Sequence, residues 1–162
     1  MSVAWAELEA ALPEGALVAI DTSALLAYLV GDEAASPAAN WLLDGRVGTG
    51  ANPAVVSALS IAELLVRPFR SGQRAIATAE GFLQFFGDIR VINTDYGVAR
   101  EAARIRAATG LGMPDAVVVA SALSAGAAVI ATNDGRWPGV AARLGIQLQV
   151  LELGRFVGGA GA

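Results

Sequence analysis

The chain reads as an α/β protein, a single three-layer α/β/α domain around a central parallel sheet of about five strands. Three observations predict this. Short apolar runs alternate with longer stretches whose apolar positions recur at helical spacing, which is the pattern of repeated βα units. Those runs are apolar throughout rather than alternating, as expected of strands covered by helices on both faces. The chain of 162 residues, 55% hydrophobic and 16% charged, has material for about one core and too little charge to stay disordered.

Element by element, residues 1–15 precede the first strand, and "VAWAELEAAL" reads as an added amphipathic helix with Trp5, Leu8 and Leu12 packing inward. "ALVAI" (16–20) is a strand ending at Asp21, and "TSALLAYLV" a helix in which Leu25, Leu26 and Leu29 share a face. A second helix is expected over 36–45, stopping near Gly45, then a buried strand over 52–57. "SIAELLVRPF" (60–69) opens a helix broken or bent near Pro68. Apolar residues at 76, 79, 82, 83 and 86 mark another helix, and "IRVINT" (89–94) a strand. Residues 95–110 form a helix capped by Asp95 and stopped at Gly110. A short helix over 139–145 and a strand over 146–153 complete the domain, assigned to 16–153, and residues 154–162 are expected to fray.

Residues 116–133 carry no charge and lie between Asp115 and Asp134. Their length alone would admit a transmembrane helix, which needs about 20 apolar residues. Gly126 divides the run, however, and its alanine and serine content suits a buried helix (115–126) followed by a buried strand (127–132). No membrane association is expected. The N-terminus lacks a basic segment followed by an apolar one, so a cytoplasmic location is expected.

The chain contains no histidine, no cysteine and no lysine; all eleven basic residues are arginine. Nucleophile–histidine pairs, thiolate or imidazole zinc sites, Schiff-base lysines and the lysine of a phosphate-binding P-loop are therefore excluded. An enzyme built from this chain must work through carboxylates and a hard cation. The net charge of −4 argues against general polyanion binding.

Asp21 follows the first strand, Glu63 lies near the start of the helix after the second, Asp115 opens the helix before the strand at 127–132, and Asp134 follows that strand. Parallel strands bring Asp21, Glu63 and Asp134 to one edge, where ligands gather in open sheets, whereas Asp115 needs tertiary folding to join them. Each acid also has an ordinary local explanation. Asp21 can cap a helix, Glu63 can complete a capping box with Ser60, Asp115 can complement a helix dipole and Asp134 can hold a turn.

"AIDTSALLAYL", "SALSIAELLVRP", "GMPDAVVVASALSAGA" and "VIATNDGRW" together resemble, in order and spacing, the four acidic motifs of PIN-domain ribonucleases, particularly VapC-type toxins. The resemblance covers roughly residues 17–151. It implies a Mg2+- or Mn2+-dependent ribonuclease with an RNA substrate, a cognate antitoxin protein and a homodimeric state. Carried over by residue, it makes Asp21, Glu63, Asp115 and Asp134 catalytic, with Ser23, Thr132 and Asn133 in support. Trp137 stands where the family commonly has phenylalanine. Asp21 and Asp115 are the expected direct metal ligands, with Glu63 and Asp134 binding directly or through water. Arginine must then supply phosphate contacts, and Arg67, Arg70 and Arg74 are the first candidates, with Arg100, Arg104 and Arg106 a second set.

Two other acid-after-strand classes are disfavoured. Haloacid dehalogenase-type phosphotransferases need a second aspartate where this chain has Ser23, and receiver domains need a lysine. A non-catalytic PIN-like module that binds RNA or a partner protein remains the alternative.

Overall fold

A computed structural model describes residues 2–85, 89–137 and 139–158. In chain order the elements are β1 (Ser2–Val3), α1 (Trp5–Ala11), β2 (Val18–Ile20), α2 (Thr22–Val30), α3 (Ser36–Asn40) continued by a π-helical stretch (Trp41–Val47), β3 (Ala54–Ser57), α4 (Ala58–Ser71) and α5 (Gln73–Phe85). Then follow β4 (Ile89–Ile92), α6 (Tyr96–Thr109), α7 (Met113–Ala125), β5 (Val129–Thr132), α8 (Val140–Leu144), β6 (Gln149–Glu152), a 3-10 turn (Leu153–Phe156) and β7 (Val157–Gly158).

The expected five-stranded parallel sheet forms in the order β4-β3-β2-β5-β6. The three central strands are buried along their whole length, whereas both strands at the edges are partly exposed. That gradient is why β2, β3 and β5 read as continuous apolar runs. Two buried clusters flank the sheet: one gathers α1, α2 and α3 against Val18, Ile20 and Val56, the other α6 and α7 against Ala19, Val55 and Ile130. Alternate residues of one strand thus feed opposite layers. Gly110 and Gly126 end α6 and α7 with φ of 75° and 74°, a backbone region that a β-carbon disfavours.

Several local expectations are corrected. α4 begins at Ala58, capped by the Ser57 hydroxyl accepting from the Leu59 N–H, so the Ser60–Glu63 capping box does not form. The helix also runs through Pro68 and ends at Gly72. Leu8 and Leu12 are fully buried, but Trp5 at the outer end of the same stripe is 44% exposed. Residues 154–158, assigned to a frayed tail, instead make the 3-10 turn and pair antiparallel with β1. Position 86 of the predicted α5 stripe and residues 159–162 of the predicted tail lie outside the described residues.

The N-terminal segment is fastened as well as packed. Asn52, fully buried, donates from Nδ2 to the carbonyls of Pro13 (2.8 Å) and Ala16 (2.9 Å). Its Oδ1 accepts from Arg46 Nε (2.8 Å), and Arg46 also donates to Leu12 O. Among the described residues, no helix is long and apolar enough to cross a membrane.

Candidate active site

Strand register builds the site. Ile20 pairs with Val56 on one side and Ala131 on the other, so the next residues, Asp21, Ser57 and Thr132, leave the sheet side by side at its carboxyl edge. The Asp21 N–H still donates to Ala131 O (2.9 Å), which extends the ladder to the site. Asp21 caps α2 as the sequence suggested, and its Oδ2 collects the Ser23 N–H (3.3 Å), the Ser23 hydroxyl (2.6 Å) and the Thr132 hydroxyl (2.9 Å). Among the described residues, no hydrogen bond reaches Asp21 Oδ1. The cap and a free acceptor therefore coexist on one carboxylate.

The hydroxyls are themselves held. Ser23 Oγ accepts from the Asn133 N–H (2.8 Å) and Thr132 Oγ1 from the Asp134 N–H (3.1 Å), which ties the turn after β5 to the start of α2. Asn133 Nδ2 donates to Glu33 (2.8 Å), beyond the far end of α2. Ser23, Thr132 and Asn133 thus fix the orientation of Asp21 without adding charge to it. Beside them Thr22 Oγ1 donates to Glu63 Oε2 (2.7 Å), joining α2 to α4. Glu63 is exposed and lies one turn farther into its helix than the capping-box reading required.

Asp115 stands in the first turn of α7, behind Pro114. Burial pushes its carboxyl above the usual carboxylate range and Arg136 pulls it down; the charges of Asp21, Asp134 and Glu63 push it up again, leaving a net rise. All four acids thus act in one electrostatic field. Asp134 goes the other way: Arg136 donates to both its oxygens and from its backbone N–H, holding the carboxyl below the usual range against the opposing effect of burial. The same guanidinium stands 4.0 Å from Asp115 Oδ2. Among the described residues, no three carboxylates are close enough to grip one metal ion.

Arg136 was missed by sequence reasoning. An Asp-Gly-Arg turn is common enough to carry no functional signal, and only the fold shows the guanidinium standing between two acids. The predicted phosphate contacts fare differently. Arg67 lines an apolar groove of about 330 Å3 with Leu26, Leu29, Val30 and Leu64, and Arg70 and Arg74 lie on either side of the Gly72 break. In the second set, Arg104 is bound to Glu101. Trp137 is 1% exposed in the core under α7, and its indole N–H has no partner among the described residues, so it fills space as a phenylalanine would.

Two solved structures illustrate the architecture. VapC20 of Mycobacterium tuberculosis, a sarcin-ricin loop cleaving toxin, is 21% identical, with 73% of this chain and 90% of that one covered at a TM-score of 0.58. VapBC-1 from nontypeable Haemophilus influenzae is 18% identical, with coverage of 85% and 98% and a TM-score of 0.60. At these identities the likeness establishes a shared fold. No curated protein matches the sequence. The pattern of the PIN domain family matches residues 18–143, which takes in all four acids and most of the chain. The sheet order, the acids at its carboxyl edge and this match agree: the chain belongs to the PIN domain family.

Proposed function

We propose that this protein is a ribonuclease dependent on Mg2+ or Mn2+ and the toxin of a toxin–antitoxin pair, acting in the cytoplasm as a homodimer. The observation that supports the reading is the run of contacts around the carboxyl edge of a PIN-domain sheet, from Glu63 through Thr22 to Asp21, from Asp21 through Thr132 to the turn at Asp134, and from Asp134 through Arg136 to Asp115. Two carboxylates about 4 Å apart repel by about 4 kcal/mol at an effective dielectric near 20. In a chain without histidine, cysteine or lysine, a hard divalent cation is the natural counter-charge.

The donor set suits magnesium, which takes one or two carboxylates directly and keeps several waters. Asp21, with Oδ1 uncommitted, and Asp115 would hold the ion, while Glu63 and Asp134, engaged by Thr22 and Arg136, would act through water. When bound, the ion supplies an acidified water and a counter-charge for the phosphate. The protein's own part is positional. Ser23 and Thr132 keep Asp21 in one orientation, Asp115 adds its carboxyl from the first turn of α7, and the neutralised side of Asp134 lowers the repulsion that a phosphodiester meets on approach.

The apolar groove between α2, α4 and α5 suits an antitoxin helix, since Leu29 and Val30 remain exposed at its rim and Glu63 adjoins Leu64 in its wall. Solved relatives include VapBC assemblies, one of them from Salmonella typhimurium bound to DNA.

Cleavage of a mixed RNA pool in magnesium tests the reading. Asp21→Asn should reduce the rate about 1,000-fold, the loss of several kcal/mol of transition-state stabilisation. Magnesium should raise the melting temperature of the parent and not of this variant. A second reading, a PIN-like module that binds RNA or a partner without cutting, draws on the absence of a three-carboxylate cage among the described residues and on Arg136 occupying Asp134. RNA binding with no cleavage in either divalent metal would select it.

A further inference from the structure

Resting on the ribonuclease reading, we infer that the RNA backbone enters the site through the cleft beneath the α6–α7 loop, with Arg136 and Arg143 as its phosphate contacts, and not along Arg67, Arg70 and Arg74. The cleft holds about 220 Å3 and is lined by Thr109, Gly110, Leu111, Gly112, Asp115, Arg136 and Arg143. It therefore opens directly onto one of the four acids. Arg143, at the end of α8, donates from Nη1 to Thr109 O (3.2 Å), and Arg106, on the last turn of α6, donates to Leu111 O (3.4 Å). Both guanidiniums are steadied by backbone carbonyls, and among the described residues neither is neutralised by a carboxylate. A guanidinium held in this way keeps donors for a phosphate oxygen, and its flat fork suits paired contacts.

Distance decides between the two arginine sets. Arg136 Nη2 is 4.0 Å from Asp115, so a phosphate touching Arg136 is a neighbour of the acids. Arg70 lies seven residues beyond Glu63 on α4, a rise of roughly 10 Å along the axis at about 1.5 Å per residue. Arg67 is nearer but belongs to an apolar wall that a sugar-phosphate chain would not select. Arg136, 76% exposed, is paired with Asp134 on one side and leaves its outer side open for a phosphate oxygen to approach.

The slope of log Kd against log salt for a labelled, mixed-sequence single-stranded RNA, measured in an Asp21→Asn background to prevent cleavage, counts these contacts. Arg136→Gln and Arg143→Gln should each reduce the slope by about 0.7, and the pair by about 1.4, while Arg143→Lys keeps the parent value. Arg70→Gln with Arg74→Gln should leave it alone. Melting temperatures equal to the parent's certify folding, and Arg136→Gln alone carries the test should Arg143→Gln unfold. An unchanged slope in the double variant, or a drop in the Arg70/Arg74 variant instead, overturns the subsite while leaving the nuclease reading intact. Competition by polyglutamate as effective as that by RNA overturns it too. A parent that neither binds nor cuts RNA overturns both.

Discussion

The apolar groove and the arginine cleft both adjoin the acids, yet they are made differently. The groove is a helix product: Leu64, Arg67, Pro68 and Ser71 recur at the spacing of one α4 face, and α2 and α5 supply the facing wall. The cleft is assembled from pieces distant in sequence, namely a loop between two helices, the turn after β5 and the end of α8. A surface that a single helix defines suits a partner helix, whereas one gathered from loops presents separate charges to a thin backbone. On the proposed function, the same edge offers one wall to a protein and another to RNA.

The sharpest way to separate the two walls is to charge the groove. Leu29→Glu with Ala75→Glu should lower affinity for the proposed antitoxin about 100-fold or more, since an unpaired carboxylate in an apolar contact costs a few kcal/mol and about 1.4 kcal/mol is tenfold. The salt slope of RNA binding should keep its parent value. If both quantities fall together in titrations of each ligand, the division of labour is wrong.

A substitution distant from both walls calibrates the frame on which they stand. Asn52→Ala strands the carbonyls of Pro13 and Ala16 and leaves Arg46 Nε without its acceptor. The expected loss is about 3 kcal/mol, or roughly 6–12 °C in melting temperature for a chain of this size. Calorimetry showing less than about 1 kcal/mol would mean that the N-terminal segment is only loosely attached.

The smallest effect concerns the two acids that share Arg136. Asp115 holds its proton more tightly in the folded chain than in the unfolded one, so its contribution to stability declines as pH rises from the ordinary carboxylate range towards its raised value. Asp134 is held low, so its contribution is present above the ordinary range and is lost as pH falls. Asp115→Asn should therefore raise the melting temperature at pH 7 without metal, by roughly 1–2 °C given partial solvent screening, and the gain should vanish in acid. Asp134→Asn should lower it. Thermal melts across pH in chelator check both signs.

Local rules made much of this legible. The central strands announced themselves because both faces are covered, and Asp21, Asp95, Gly110 and Gly126 obeyed capping chemistry that involves only near neighbours. The same rules misplaced the start of α4. Ser60-x-x-Glu63 has the spacing of a capping box, but β3 ends at Ser57 and the helix begins at once. Trp5 matched the α1 stripe, yet the core ends a turn before it. The two-residue pairing of β1 with β7 left no signal, because periodicity needs more residues than that.

By itself the sequence determined the class of fold, the order of its elements and the type of chemistry available, since apolar period and the absence of histidine, cysteine and lysine are properties of the chain alone. Tertiary structure decided which charges meet. Arg136 beside Asp115, Thr22 on Glu63 and Arg143 across from Thr109 join elements that no local pattern connects. Electrostatic energy depends on separation in space, and separation in space is what a linear sequence leaves open.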